Sequence, residues 1–413
     1  MCTFKITNNP NKTWIDDYLS LGGPTLSNSI EIGGIHISHH LLNVTGEITP
    51  QPVEKDGLYF ILMGEIYNYD TSLPSDIYYG IEKYLEHREN FTKYLDGEFL
   101  FIVYNPYSQT IDFFTDPWST RQAWYSEIGD NFYFTTLIND RSLIAFDTYR
   151  ISPYNMIDRK KHYRIPHNSH CCYDIKNKKL SVRNNELHSW NLNQNIKSLD
   201  EVEKCFTDAV LKRWYPNCTL FLSGGVDSVA AVLCLTDNKK KFNAISLMSC
   251  SEKEDQDALS KTVLYCKDYI NHYIINGKKK PNEIHEQVKK QFKGKVVLMG
   301  NGSDEFFDNY RSKDKSEFKY FPKKLIDIFP WKHFYGGQSR SLLDLHETYH
   351  LLAGLELRNI FYDKALVQSW LNVSIDIKNT EYKIFIKKYL RDRGIPISKF
   401  PKSGFRRQYE AEE

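Results

Sequence analysis

The sequence predicts two folds in series: an α+β domain built on antiparallel sheets, then an α/β domain with a doubly wound parallel sheet and a helical C-terminal part. Three observations carry this. The chain has 413 residues, and at roughly 100–200 residues per domain two domains are expected. Up to about residue 190, short aromatic and β-branched runs are broken by Gly, Pro, Asn and Asp. Beyond residue 198 short apolar runs alternate with helical stretches, which implies right-handed crossovers and parallel strands.

In the first part the runs are Gly57-Leu-Tyr-Phe-Ile-Leu-Met63, Glu98-Phe-Leu-Phe-Ile-Val-Tyr104 and Thr110-Ile-Asp-Phe-Phe-Thr115. Their length and content read as strands. Asp76 to Glu86 has the spacing of an amphipathic helix. Asn191 to Lys197 is polar, and Ser198-Leu-Asp-Glu201 reads as a capping box before Val202, Phe206, Ala209 and Val210. The expected domains are therefore 1–190 and 198–413.

In the second part, strands are expected at Thr219 to Leu222, Phe242 to Met248 and Lys295 to Met299. Helices are expected from about Ser228, Gln256 and Asn282, and the chain from about Leu342 reads as mostly helical.

Composition narrows the function classes. Lys+Arg 54 against Asp+Glu 52 leaves +2, so there is no global basic field for nucleic acid. With 41% hydrophobic residues the chain can bury a core. The run Val229 to Leu235 is far short of the roughly 20 residues that span a bilayer, and MCTFKITNNPNK has no apolar core of a secretory signal. Eight cysteines without a CxxC pair read as reduced thiols. The expectation is a cytoplasmic protein with small-molecule substrates and neither nucleic acid nor membrane as partner; a second copy of the chain is an allowed partner.

The strongest motif is Leu222-Ser-Gly-Gly-Val-Asp-Ser228 at a strand-to-helix turn. Glycines let the backbone approach an anion, and the following amides present N–H groups at a helix start. Ser223 and Ser228 add hydroxyls, and Asp227 is a carboxylate suited to a phosphate-bridging cation. There is no GK[ST] and no GxGxxG. Lys278-Lys-Lys280 reads as a solvated loop, His36, His39 and His40 as strand histidines, and His167, His170, Cys171 and Cys172 as structural.

These residues resemble the asparagine synthetase (glutamine-hydrolysing) family. SGGVDS resembles the pyrophosphate loop of the ATP-pyrophosphatase fold, and Val210-Leu-Lys-Arg213 before it fits the same phrase. Val296-Val-Leu-Met-Gly-Asn-Gly-Ser-Asp-Glu305, with Phe307 and Tyr310, resembles VLSGxGxDExFxGY. Gly354-Leu-Glu-Leu-Arg-Asn-Ile-Phe-Tyr-Asp363 resembles GxExRxPFLD, and Pro401-Lys-Ser-Gly-Phe405 resembles a lysine-bearing closing loop. In the first part, Met1-Cys2 fits an N-terminal-nucleophile glutaminase, an αββα sandwich. Met63-Gly-Glu-Ile-Tyr-Asn68 resembles NGEIYN, Ser75-Asp76 an SD pair, and Thr115-Asp-Pro with Arg121 and Tyr125 the DRxGxxPLYY segment.

The resemblance implies ATP and Mg²⁺ as cofactors, with glutamine or another amine donor and an amino-acid-like carboxylate as substrates. Cys2 would be the nucleophile with its own α-amine as base, Gly64 an oxyanion donor, and Glu65 and Asp76 the glutamine-binding carboxylates. Ser223, Gly224, Gly225, Asp227 and Ser228 would hold the phosphates, with Leu222, Ile245 and Gly300 lining the adenine pocket. Asp227 and Asp304 would hold the metal, and Lys402 would stabilise charge on the α-phosphate.

Three positions depart from the pattern. Leu41 stands where the family has an arginine for the glutamine carboxylate, with His40 a conceivable substitute. Met63 replaces an asparagine of the oxyanion hole. Asn301 replaces an acidic residue (or tyrosine) and cannot titrate, which leaves Glu347, His346 or Glu305 as a base. The leading expectation is an amidotransferase of the asparagine synthetase type. A carboxylate-adenylating ligase using another or an intramolecular amine, as in β-lactam synthetases and lasso-peptide cyclases, and a non-catalytic binding protein of the same fold stay open.

Overall fold

The computed structural model describes residues 2–11, 14–137, 162–248, 253–276, 294–308 and 318–397. Lys402, Tyr310, Lys278-Lys-Lys280 and the helix expected from Asn282 lie outside them.

The first half contains β1 (Thr3–Thr7), α1 (Trp14–Gly22), β2 (Leu26–Ile32), β3 (Ile35–Leu41), β4 (Val53–Lys55), β5 (Leu58–Ile66), α2 (Asp76–His87), β6 (Gly97–Asn105) and β7 (Thr110–Thr115). Then come β8 (Trp124–Ile128), β9 (Asn131–Thr135), β10 (His162–Arg164), β11 (His170–Asp174) and β12 (Lys179–Asn184). They form two six-stranded sheets, ordered β10-β8-β9-β1-β3-β2 and β12-β11-β7-β6-β5-β4. All pairings among these strands are antiparallel.

Strand alternation explains the layering. Phe4, Ile6 and Ile37 of one sheet and Ile61, Met63, Leu100 and Ile102 of the other share one buried core. On the outer face of the second sheet, Phe60, Leu62, Phe99 and Phe101 pack with Ile77 and Ile81 of α2. The spacing of Ile77, Gly80 and Ile81 gives that helix its buried stripe.

The second half contains α3 (Asp200–Arg213), β13 (Thr219–Phe221), α4 (Val226–Asp237), β14 (Phe242–Met248), α5 (Lys253–Tyr265), β15 (Ile270–Asn276), β16 (Val296–Met299), α6 (Ser303–Phe307), α7 (Lys332–Tyr335), α8 (Gly337–Leu352), β17 (Glu356–Asn359), α9 (Lys364–Asn372), α10 (Ile375–Lys378) and α11 (Ile384–Arg391). Its sheet is five-stranded, ordered β15-β14-β13-β16-β17, and parallel throughout. α4 is apolar nearly all round and buried from Asp227 to Thr236, as expected for a helix enclosed by sheet and neighbours.

Three expectations are corrected. The capping box shifts by one residue: Leu199 is the N-cap of α3, and the Ser198 hydroxyl accepts from the Asp200 N–H. The strands β15 and β17 were not expected. β17 interrupts the helical C-terminal part and pairs with β16 from Val296 opposite Glu356 to Met299 opposite Asn359.

The two halves meet across a buried ionic seam. Glu98 of β6, fully buried, accepts from Arg213 Nε of α3 at 2.8 Å and from the Asn359 N–H at 3.0 Å. Arg121 bonds Glu347 at 3.3 Å and the Leu357 carbonyl at 2.8 Å. Arg164 pairs with Asp344 at 2.8 Å.

Candidate functional site

Cys2 immediately precedes β1, a strand flanked on both sides, so its position is fixed by two ladders. Its side chain lines a cavity of about 30 Å³ together with Leu41, Gly64, Glu65, Asp76 and Glu356. That volume holds one or two waters. The loop from Leu42 to Gln51 forms much of the wall. It is pinned by Thr45 on Glu65 at 2.5 Å, by the Glu47 N–H on the Pro74 carbonyl and by Thr49 on Ser75.

Burial pushes the Cys2 thiol up to about 11, so the resting group is a thiol needing a local base. Asp76 sits at the first turn of α2 and accepts from the Ile66 N–H at 2.9 Å. Burial raises its carboxyl to about 7 and that of Glu65 to about 8. Gly64 has φ +106, and a Cβ there would lie 1.9 Å from the Glu98 carbonyl; only glycine fits this turn of the pocket.

Glu356 was not singled out from the sequence. It comes from β17 of the other half, 2.7 Å from Arg358, which also reaches Glu65 at 3.2 Å. The i, i+2 spacing of Glu356 and Arg358 on a strand puts both on one face, a signal hidden because the strand itself was missed. Met63 is fully buried in the inter-sheet core rather than on the cavity wall. Leu41 does line the wall, whereas His40 faces the opposite side of β3 and bonds Ser27 at 2.7 Å. His40 therefore does not stand in for the missing cation.

The second cluster lies at the C-terminal edge of the parallel sheet, where open α/β sheets bind ligands. After β13, Gly224 takes φ +78 and the chain turns into α4 with Gly225 as N-cap. Ser223 and Ser228 hydroxyls are 3.1 Å apart, and Ser228 bonds the Gly225 carbonyl at 3.0 Å. Leu222 and Ile245 are fully buried, and the Leu222 N–H and carbonyl go to Ile245 and Ser246. Their side chains belong to the core of the second half. Gly300 is half-buried, and a Cβ there would meet Asp227 Cβ at 3.4 Å and a Phe361 ring carbon at 3.6 Å.

Asp227 and Asp304 do converge. Lys383 Nζ lies 2.8 Å from Asp227 and 2.6 Å from Asp304, with the Ser303 hydroxyl on Asp227 at 2.6 Å and Tyr382 on Asp304. Lys383 is fully buried and holds φ +54, a costly backbone state for a residue with a Cβ. The donor set, two carboxylates aimed at one cationic point, fits a divalent ion, and the Lys383 ammonium takes that point here. Among the described residues no group of three or more His, Cys, Asp or Glu is placed to hold an ion. Sequence reading missed Lys383, which lies 79 positions from Asp304 with no motif around it.

Of the candidate bases, Glu347 is buried, with its pKa raised to about 7 by burial, and is held by Arg121. Glu305 is buried, and its own backbone carbonyl accepts from the Trp331 indole N–H at 2.7 Å. His346 is the residue against Asn301: its Nδ1 is 2.9 Å from Asn301 Nδ2, which also donates to Asn359 Oδ1 at 3.1 Å. Asn359 Nδ2 in turn donates to Glu98 at 3.3 Å. A carboxylate only accepts, so this chain fixes both amides and leaves His346 Nδ1 as the acceptor, with its proton on Nε2.

The remaining histidines and cysteines sit apart. His170 bonds Asp112 at 2.7 Å, His167 stacks on Tyr335 at 4.4 Å, and Cys171 is in the inter-sheet core.

No family model and no curated protein matches the chain. Solved structures that overlap it include the allosteric regulatory enzyme of purine biosynthesis, at TM-score 0.34 and 9% identity over 66% of this chain and 80% of that one. Another is the glutamine phosphoribosylpyrophosphate amidotransferase from B. subtilis complexed with ADP and GMP, at TM-score 0.30 and 11% identity over 72% and 74%. A third is NMN synthetase from Francisella tularensis, at TM-score 0.22 and 15% identity over 46% and 98%. Likeness at this level carries no argument about chemistry. No helix among the described residues is long and apolar enough to cross a membrane.

Proposed function

We propose that the chain is an ATP-dependent amide-forming enzyme of the asparagine synthetase type, with residues 1–190 as a glutaminase-like unit and 198–413 as an adenylating unit. The observation that carries this reading is the loop from Ser223 to Ser228: a positive-φ glycine, paired hydroxyls and a helix start at the edge of a parallel sheet. Cys2 in its own cavity supplies the second centre.

An acid oxygen attacks the α-phosphorus of ATP, giving an acyl-adenylate and pyrophosphate, which the Ser223–Ser228 loop receives. Asp227 and Asp304 would hold a magnesium ion in place of the Lys383 ammonium, and its charge would offset that of the phosphates. His346, whose Nδ1 accepts from Asn301 at 2.9 Å, would orient the acid through its Nε2–H. Lys402 keeps its proposed role at the α-phosphate. Ammonia freed at Cys2 attacks the acyl carbon and AMP leaves. Partners are small molecules, in a cytoplasmic setting.

A second reading, adenylation with a different or intramolecular amine, draws on Leu41 at the cavity wall and on Met63 in the core, which leave the glutaminase site short of a cation and of one oxyanion donor. Incubation with Mg-ATP and a panel of carboxylates, scoring AMP and pyrophosphate, tests the common step. Activity lost in Asp227→Asn supports it; equal activity in that variant contradicts it.

A further inference from the structure

The cavity at Cys2 is acidic. Its lining includes the carboxylates of Glu47, Glu65, Asp76 and Glu356, and among the described residues no Lys, Arg or His. Arg358, which is not a lining residue, is engaged by Glu65, Glu356 and the Arg213 carbonyl. Lys295, also outside the lining, donates to the carbonyl of the lining residue Asn43 at 2.8 Å. Leu41 adds an aliphatic side chain to the lining.

A free amino acid brings an ammonium and a carboxylate together. The ammonium suits this wall. The carboxylate would be desolvated with no Lys, Arg or His of the described lining to pair with it, a cost that rejects a wrong partner.

We propose that the amide donor at Cys2 carries a free ammonium but no free α-carboxylate, as in the N-terminal glutaminyl residue of a peptide. This rests on the proposed glutaminase role of Cys2. The chemistry balances without an added reagent other than water. The Sγ–H proton passes to the Cys2 α-amine, freed by removal of Met1, as Sγ bonds to the side-chain carboxamide carbon. That proton then leaves with the nitrogen as ammonia when the C–N bond breaks. Water cleaves the thioester, restoring the thiol and leaving a glutamyl carboxylate.

The test measures ammonia release by the full chain, with removal of Met1 verified by mass, from three compounds: glutaminyl-glycinamide, free L-glutamine and glycyl-glutamine. The last has a blocked amine and a free carboxylate. Cys2→Ala is the blank. The expected result is kcat/KM for glutaminyl-glycinamide about a hundredfold above that for glutamine, with none for glycyl-glutamine. Glutamine cleaved as well as or better than the dipeptide amide would overturn this inference and leave the glutaminase role of Cys2 intact. Cys2-dependent release from none of the three, in chain whose folding is verified by cooperative thermal unfolding, would overturn both.

Discussion

The ammonium of Lys383 lies 2.8 Å from Asp227 and closes the gap between that carboxylate and Asp304. A lysine buried from solvent with a positive φ is placed against local preference, and the two carboxylates are what compensate it. The proposed cation site and the lysine site are thus one place.

Replacing Lys383 by Met leaves Asp227 and Asp304 facing each other without a cation. Removing one partner of a buried pair costs about 3–5 kcal/mol, and Asp304 is a quarter exposed, so the lower end applies. The variant should melt below the native chain in thermal unfolding. Added Mg²⁺ should recover more stability in the variant than in the native protein; an equal Mg²⁺ effect in both would show that the ion does not use these carboxylates.

Gly224→Ala puts a Cβ at φ +78, a strain of about 1–2 kcal/mol. The loop should relax away from the geometry that aims its amides. Nucleotide affinity measured by calorimetry should fall about tenfold with little change in global melting. An unaltered affinity would remove the loop from the phosphate site.

The seam between the halves predicts a stability effect far from either site. Arg121→Met strands the buried Glu347, while Glu98 keeps Arg213 and the Asn359 N–H. Denaturant unfolding should show a loss of about 3–5 kcal/mol. The double variant Arg121→Met with Glu347→Leu should regain part of it, since the stranded charge is then gone; a strictly additive double variant would mean the pair is not coupled.

The raised carboxyls at Cys2 give a signed pH effect. Glu65, raised to about 8, and Asp76, raised to about 7, hold protons in the folded chain that the unfolded chain releases near pH 4. Their contribution is therefore full below about pH 4 and declines as pH rises to about 8. Across pH 5 to 8, Glu65→Gln should flatten the decline in melting temperature relative to the native chain; a native profile that rises over this range with the same slope in both would contradict the assignment.

The tautomer of His346 follows from Glu98 through Asn359 and Asn301. Nitrogen-15 spectra of the imidazole should show the Nε2–H form in the native chain and a mixture in Glu98→Gln, whose own amide can donate. An Nδ1–H form in the native chain would reverse the whole polarity of the relay.

What was readable in advance divides along the chemistry of contact. The loop from Ser223 to Ser228 was legible because every group it uses is contiguous and its strand and helix carry strong apolar periodicity. Cys2, Glu65 and Asp76 were legible as fragments of motifs. His346 was legible only as one of three candidate bases, and Lys383 was not legible, since a helix terminus far along the chain meets the carboxylates only after the sheet edge is built. β17 was invisible because its four residues include two buried charges, Glu356 and Arg358, whose strand conformation is imposed by pairing with β16 and paid for by Glu65 and Arg213. β15 has the polar residues of an edge strand, with Ile274 exposed.

The central claim is that a nucleotide seats its phosphates on the Ser223–Ser228 loop. Calorimetric titration of the intact chain with a nonhydrolysable ATP analogue and Mg²⁺ addresses it directly. The account predicts saturable one-to-one binding that weakens at least tenfold in Gly224→Ala and in Asp227→Asn; heat indistinguishable from dilution in correctly folded protein would contradict it.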